Sequence, residues 1–219
     1  MRNKIASKIA RKYVKKSSVN LELHIYDFDG TLFKSPEEPE WWSKSRYGYW
    51  YTNEASLGFP FVPVNPPASF WNREAVRDAR DSINDYDVWS ILCTGRIDTP
   101  PLRYRIAELL KGAGLDFEEV YLNNMGGSTI SYKTALAEKM LQKFPNISKI
   151  QMWEDSIDNL RAIEAVCDRH GISFEGHLIQ EPNAGVRVTE MEYIEVLRDE
   201  LPSNEWLALE KKLIKKGIL

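Results

Sequence analysis

The amino-acid sequence predicts an α/β fold in which a doubly wound parallel sheet carries helices on both faces. Three observations lead there. Five short apolar, β-prone runs recur along the chain, separated by stretches with helical period. Glycine or proline stands where several of those helices should stop. Acidic and hydroxyl residues follow the strand-like runs, at the sheet edge where such folds bind ligands.

The elements follow in order. Residues 1–18 open with Arg2, Lys4, Lys8, Arg11, Lys12, Lys15 and Lys16 and no acid, while Ile5, Ile9 and Tyr13 recur every four residues. This reads as a basic amphipathic helix or arm. Its roles could be contact with nucleic acid or a membrane surface, organelle targeting, or simply a solvated helix. A secretory signal is excluded, because no continuous apolar core follows the basic residues. Strands are expected at 21–26, 88–93, 119–122, 150–153 and 177–179. Helices are expected at 71–83, at 101–111 ending on Gly112, at 133–144 ending before Pro145, and at 156–170 ending on Gly171.

Residues 34–69 break the alternation. Six prolines accompany Trp41, Trp42, Tyr47, Tyr49, Trp50, Tyr51, Phe59 and Phe61, making an irregular insertion too aromatic to be a disordered linker. At the far end, Trp206, Leu207, Leu209, Leu213 and Ile214 form the stripe of a helix docked on the domain. The expected organisation is an arm at 1–18, a Rossmann-like core at 19–33 and 70–185, a small aromatic-rich insertion at 34–69, and a C-terminal helical segment at 186–219.

Composition narrows the function classes. The chain has 219 residues, 43% hydrophobic and 28% charged, an ordinary globular balance that excludes disorder. No run approaches the roughly 18 apolar residues of a spanning helix, so no membrane span is expected. With 29 Lys and Arg against 32 Asp and Glu, the net charge of -3 argues against a whole-protein grip on a polyanion and leaves room for a local basic patch. Cys93 and Cys167, one in a strand-like and one in a helix-like run, read as buried thiols of a reduced, cytoplasmic compartment.

The chemistry gathers at four strand ends. The first strand runs into Asp27-Phe28-Asp29-Gly30-Thr31, two carboxylates that are costly unless a cation or a reaction uses them. The second ends in Thr94-Gly95-Arg96, where a hydroxyl beside a turn amide can bind a phosphoryl oxygen. Lys133 opens the helix after the third, and the fourth ends in Glu154-Asp155 with Asp158 one turn on. Each has a plainer alternative. The aspartates could cap turns or helices, Thr94 could be a turn residue, and Lys133 could be a surface residue like Lys139 and Lys143. Arg96 could contact substrate or pair with a neighbouring acid.

That constellation resembles the haloacid dehalogenase (HAD) superfamily of phosphohydrolases, whose four motifs are matched in order by Asp27–Thr31, Thr94, Lys133 and Glu154-Asp155 with Asp158. The Phe33–Pro36 continuation, the Trp-rich insert, Thr94-Gly95-Arg96 and Trp153-Glu154-Asp155 make it similar to the Swiss Army Knife RNA repair-like HAD domains. The resemblance implies that Asp27 is the nucleophile, Asp29 the general acid and base, and Thr94 and Lys133 the phosphoryl-binding groups, with Gly95 and Arg96 as further substrate-binding candidates. It implies Mg²⁺ held by Asp27, Asp155 and Asp29 (through its backbone carbonyl), with Glu154 and Asp158 as further candidates. The physical reason stands apart from the name. A carboxylate attacks a phosphate dianion poorly unless a cation screens their repulsion, and hard oxygen donors suit Mg²⁺.

The expected function is therefore a Mg²⁺-dependent phosphatase working through an aspartyl-phosphate, with nucleotide or polynucleotide ends, RNA included, as candidate substrates. The alternatives are a catalytically silent HAD-fold binding module and a small-metabolite phosphatase. Asp29 makes carbon–halogen cleavage improbable, and no Gly-Lys-Thr/Ser loop provides for a P-loop kinase. In this superfamily, insertions after the first strand form caps. A small one favours a bulky substrate, whose bases the aromatics could stack on unless they form the insert's own core.

Overall fold

The computed structural model describes residues 10, 12, 14–15, 19–180 and 182–215. Most of the expected basic arm lies outside them. The chain forms two compact units, residues 1–35 with 65–184 and residues 36–64 with 185–219.

The larger unit is built on five strands: β1 (Leu21–Tyr26), β2 (Val88–Ile97), β3 (Glu119–Asn123), β4 (Ile147–Glu154) and β5 (Ser173–Leu178). All neighbours pair in parallel, in the order β3-β2-β1-β4-β5. Four helices connect them: α1 (Arg73–Asn84), α2 (Pro100–Gly112), α3 (Thr129–Lys143) and α4 (Ile157–His170). Every residue of β1 except Glu22 is buried, as a parallel strand covered on both faces requires. On one face Leu23, Ile25, Ile91, Ile150 and Met152 pack against Leu136 and Met140 of α3 and Ile163 and Val166 of α4. Each such side chain contributes about 1.5–3 kcal/mol by leaving water. On the other face Tyr26 stacks on Trp153, with ring centroids 4.3 Å apart. Its hydroxyl lies 2.7 Å from Ser82 Oγ on α1, so the aromatic layer keeps its polar atom satisfied.

The chain leaves β1 towards β2 and β3, then returns to β4 on the opposite side of β1. The crevice at that reversal lies beyond the carboxyl ends of β1 and β4, and Asp27 N donates to Trp153 O across it at 3.0 Å.

Several boundaries shift from expectation. β2 continues to Ile97 through an irregularity between Thr94 and Ile97. α3 starts at Thr129, so Lys133 sits one turn inside the helix instead of opening it. Gly112 is still helical, and Gly114, with φ +70°, makes the left-handed turn. Gly171 ends α4 in the left-handed conformation, where the sequence places it. Cys93 and Cys167 are buried free thiols. Of the arm, Lys15 is fully buried, 2.9 Å from Glu118 Oε1 and donating to Ile83 O, and Lys12 donates to Glu118 O. These two cations are tied to the core unit, while the other basic residues of the expected arm lie outside the described residues. Among the described residues, no helix is long and apolar enough to cross a membrane.

In the smaller unit the insert contributes a single helical turn (Lys44–Tyr47), two short 3-10 turns and an aromatic cluster. Trp42, Trp50 and Phe61 are buried against one another, and Trp41 is partly so. Trp42 and Trp50 are therefore core and Trp41 lies at its margin, while Tyr49, Tyr51 and Phe59 are exposed rings. Helix α5 (Glu190–Glu200), which falls inside the expected helical segment 186–219 but was not delimited there, joins the cluster through Tyr193, 5.6 Å from both Trp42 and Phe61. Trp41 Nε1 donates to Val188 O at 2.7 Å, and Arg46 pairs with Glu190. A capping box of Thr189 and Glu192 starts α5. In α6 (Ser203–Lys215), Leu213 of the expected stripe is buried, whereas Leu207 and Ile214 are exposed. The C-terminal helical segment thus shares its compact unit with the insert.

Candidate functional site

The first motif forms a tight turn directly after β1. Phe33 N donates to Phe28 O at 2.8 Å and Gly30 N to Phe33 O at 2.9 Å, while Phe28, Leu32 and Phe33 are fully buried beneath. Those three side chains fix the turn, so its carboxylates need not be held by solvent-facing contacts. Gly30 has φ +70°, and a Cβ there would stand 2.3 Å from Asp155 Oδ2. The left-handed conformation and the close approach of that carboxylate both demand glycine.

Lys133 reaches from α3 to the same place. Its ammonium donates to Asp27 Oδ1 at 2.7 Å and to Glu154 Oε2 at 2.5 Å, with all three side chains buried. The surface-residue alternative fails by contrast with Lys143, whose ammonium meets Glu119 at the surface. Burial disfavours the Lys133 ammonium, but the charges of Asp27 and Glu154 outweigh it and raise its pKa above that of an ordinary lysine. Burial pushes the Asp27 carboxyl up, opposed by Lys133 and reinforced by Glu154 and Asp29. Glu154 is braced from behind by Asn159 Nδ2 at 2.9 Å and by Ser156 N.

Oxygens of Asp27, Glu154 and Asp155 lie within 4.8 Å of one another. Asp155 has an exposed side, yet desolvation of its carboxyl, with Glu154 beside it, moves its pKa up to about 6. Three carboxylates against one ammonium leave the cluster net negative. A hard divalent cation fits that donor set and would relieve the repulsion.

The carboxylate of Asp29 faces a different partner. Arg96 forks onto it, with Nε 2.9 Å from Oδ2 and a terminal nitrogen 2.7 Å from Oδ1. Ser35 Oγ donates to Oδ1 at 2.5 Å, and Thr94 Oγ1 stands 3.5 Å from Oδ2. The Arg96 side chain is 1% exposed, so its fork serves the acid and is not turned to solvent for a substrate. Thr94 is fully buried at the site, and its hydroxyl accepts from Arg96 N. Gly95 gives room to α3, since a Cβ there would lie 2.8 Å from Thr129 Oγ1.

The structure thus gathers Asp27, Asp29, Thr94, Arg96, Lys133, Glu154 and Asp155 at one sheet edge. Asp158 stays outside: it is exposed in the first turn of α4 and pairs with Arg161 at 3.8 Å. The Asp29 carboxylate is likewise apart from the three-acid cluster. Ser35 and Asn159 escaped the sequence reading. Asn159 left a legible trace, as the polar member of the stripe that Ile163 and Val166 continue along α4.

The family model for HAD domain family 1 in Swiss Army Knife RNA repair proteins matches residues 31–199. The chain belongs to this family. The HAD match begins just past Gly30, so Asp27 and Asp29 stand on their own geometry. The chain is also similar to the uncharacterized protein YMR265C of Saccharomyces cerevisiae, 26% identical over 168 residues. That stretch covers 66% of this chain and 36% of the yeast protein, so the chain spans about a third of that relative's length. Among solved structures, the HAD domain of the Legionella pneumophila effector Lem4 is 13% identical with a TM-score of 0.49, covering 82% of this chain and 95% of that one. The Legionella pneumophila effector Ceg4 is 15% identical with a TM-score of 0.47, covering 85% of this chain and 97% of that one. A chain of the Pnkp1/Rnl/Hen1 RNA repair complex is 13% identical with a TM-score of 0.45, covering 74% and 44%.

Proposed function

We propose that this HAD domain is a Mg²⁺-dependent phosphatase that hydrolyses phosphate monoesters through an aspartyl-phosphate, acting on nucleotide or polynucleotide ends. The observation that carries the reading is the convergence of Asp27, Glu154 and Asp155 around Lys133. Asp27 Oδ attacks phosphorus, the bond to the ester oxygen breaks, and that oxygen takes a proton from Asp29. Water then attacks phosphorus, the bond from phosphorus to Asp27 Oδ breaks, inorganic phosphate leaves, and Asp29, deprotonated in the first step, accepts the water's proton and is restored. For either transfer an Asp29 oxygen must turn from the Arg96 fork to the reacting group. Thr94 and Lys133 would bind the phosphoryl oxygens, where each donor contributes a few kcal/mol, about 2.7–4 for a well-placed one. Asp27, Asp155 and the Asp29 backbone carbonyl would hold Mg²⁺, which when bound screens the repulsion between nucleophile and phosphate. The RNA-end substrate is supported by the family's description.

The test is hydrolysis of an aryl phosphate and of a panel of sugar phosphates, nucleotides and end-phosphorylated oligonucleotides, with and without Mg²⁺. Mg²⁺ should be required and Ca²⁺ inhibitory, because calcium takes longer bonds and more ligands. Protons compete for Asp155, whose pKa lies near 6, so half-saturation by Mg²⁺ should need more metal as pH falls below that value. Full turnover in excess EDTA, or none on any substrate with any divalent ion, would sink the reading.

Arg96 should act as a positioning residue for Asp29. Arg96→Gln is expected to lower kcat roughly 10²-fold and change its pH profile, with KM little altered. A pure rise in KM would instead make Arg96 a substrate contact.

A further inference from the structure

Arg73, Arg77 and Arg80 stand at i, i+4 and i+7, which places them along one face of α1. All three are exposed. They line a groove of about 860 Å³ that Lys34 also lines. Glu74 is the one carboxylate of the lining. Arg77 shares its charge with Asp78 at 3.1 Å, and Arg80 donates to a backbone carbonyl, Ala113 O, at 2.7 Å. No acid is paired with Arg80 or Arg73 among the described residues. With Arg77 shared with Asp78, Arg73 and Arg80 stand against Glu74 as the one lining carboxylate, a local cationic excess in a chain of net charge -3.

The groove adjoins the catalytic turn. Asn72 N donates to Leu32 O at 3.0 Å and Lys34 N to Phe70 O at 2.8 Å, binding the start of α1 to the turn's exit. The next residue, Ser35, donates to Asp29. From Arg73 to Arg80 the row extends roughly 10 Å along the helix. A ligand with a single phosphate cannot use such a row, whereas a chain of repeated negative charges can.

We infer that this groove holds the phosphodiester backbone of a single-stranded polynucleotide whose phosphorylated end is presented to Asp27. The inference rests on the phosphatase reading for what happens at that end, but its test reads binding alone. In the full chain carrying Asp27→Asn, binding of a short fluorescent single-stranded RNA with a terminal phosphate is followed by anisotropy across a salt series. The triple variant Arg73→Gln, Arg77→Gln, Arg80→Gln should raise Kd about tenfold or more. It should also make the slope of log K against log salt shallower by about two, at roughly 0.7 for each phosphate no longer neutralised. Should that variant melt early, Lys34→Gln with Arg73→Gln probes the same lining with two substitutions and should raise Kd about threefold or more. Unchanged Kd and slope in a folded variant overturn the groove assignment. Equal competition by a poly-glutamate peptide overturns the polynucleotide as its occupant. Failure of the wild-type chain to hydrolyse any phosphate would overturn the phosphatase reading and leave the binding result intact.

Discussion

An Asp27→Asn variant is expected to lose at least 10³-fold in kcat on every phosphorylated substrate while keeping its fold. The attacking atom is a carboxylate oxygen, and an amide of the same shape offers no comparable nucleophile. The fold should survive because the turn around residue 27 is fixed by buried Phe28, Leu32 and Phe33 and by its own backbone hydrogen bonds, none of which involves the carboxylate. Lys133 keeps Glu154 as a charged partner. Burial already works against the Asp27 charge, with Glu154 and Asp29 adding repulsion, so the melting temperature should hold or rise in the absence of metal. Turnover and thermal melting on the same preparation decide the matter. More than a few per cent of wild-type kcat, free of contaminating phosphatase, would remove Asp27 from the nucleophile's role. A collapse of the melting temperature would mean that the carboxylate is structural, and the site would then read as a binding module.

How much of this could be read beforehand depended on how local each interaction is. The strands were legible because a parallel strand covered on both faces is a nearly continuous apolar run, as Leu21–Tyr26 shows. Asp27, Lys133 and Asp155 were legible because each stands at or near a strand's carboxyl end, where the topology forces convergence. Arg96 was ambiguous for a physical reason. Its partner lies 67 residues away, and a fork aimed at Asp29 leaves the same local sequence as one aimed at a ligand. Asp158 misled because one turn along α4 carried it to the solvent side, where Arg161 meets it. Helix α5 lay within the expected helical segment but had no legible limits, because its buried face, Tyr193 and Ile194, is narrow and completed by aromatics about 150 residues earlier in the chain. The same partnership buries Trp42, which the insert's composition alone could equally have left exposed.

Replacing Lys133 by Met is expected to be the most destabilising single change in the site. The ammonium lies 2.7 Å from Asp27 Oδ1 and 2.5 Å from Glu154 Oε2, and none of the three side chains is more than 7% exposed. Met fills similar space but leaves two buried carboxylates facing each other with no counter-charge. Breaking a buried ion pair from one side costs about 3–5 kcal/mol. In a chain of this size that lowers the melting temperature by roughly 6–20 °C, at about 2–4 °C per kcal/mol. The deficit should also depend on pH with a definite sign. Asp27 already has its pKa raised in the folded state, chiefly by burial, and losing Lys133 moves it further in that direction. A carboxyl whose folded pKa exceeds its unfolded one favours the fold below the ordinary carboxylate range, and that advantage disappears as pH rises. The difference from wild type should therefore be smallest near pH 4 and grow towards neutrality. Adding Glu154→Gln to Lys133→Met should recover much of the loss, because the pair then contains one carboxylate instead of two. Melts of the single and double variants across that pH range, in EDTA, make the comparison. A loss below about 1 kcal/mol at neutral pH would mean that the carboxylates are already protonated in the wild type, and Lys133 would not be what keeps Asp27 ready to attack.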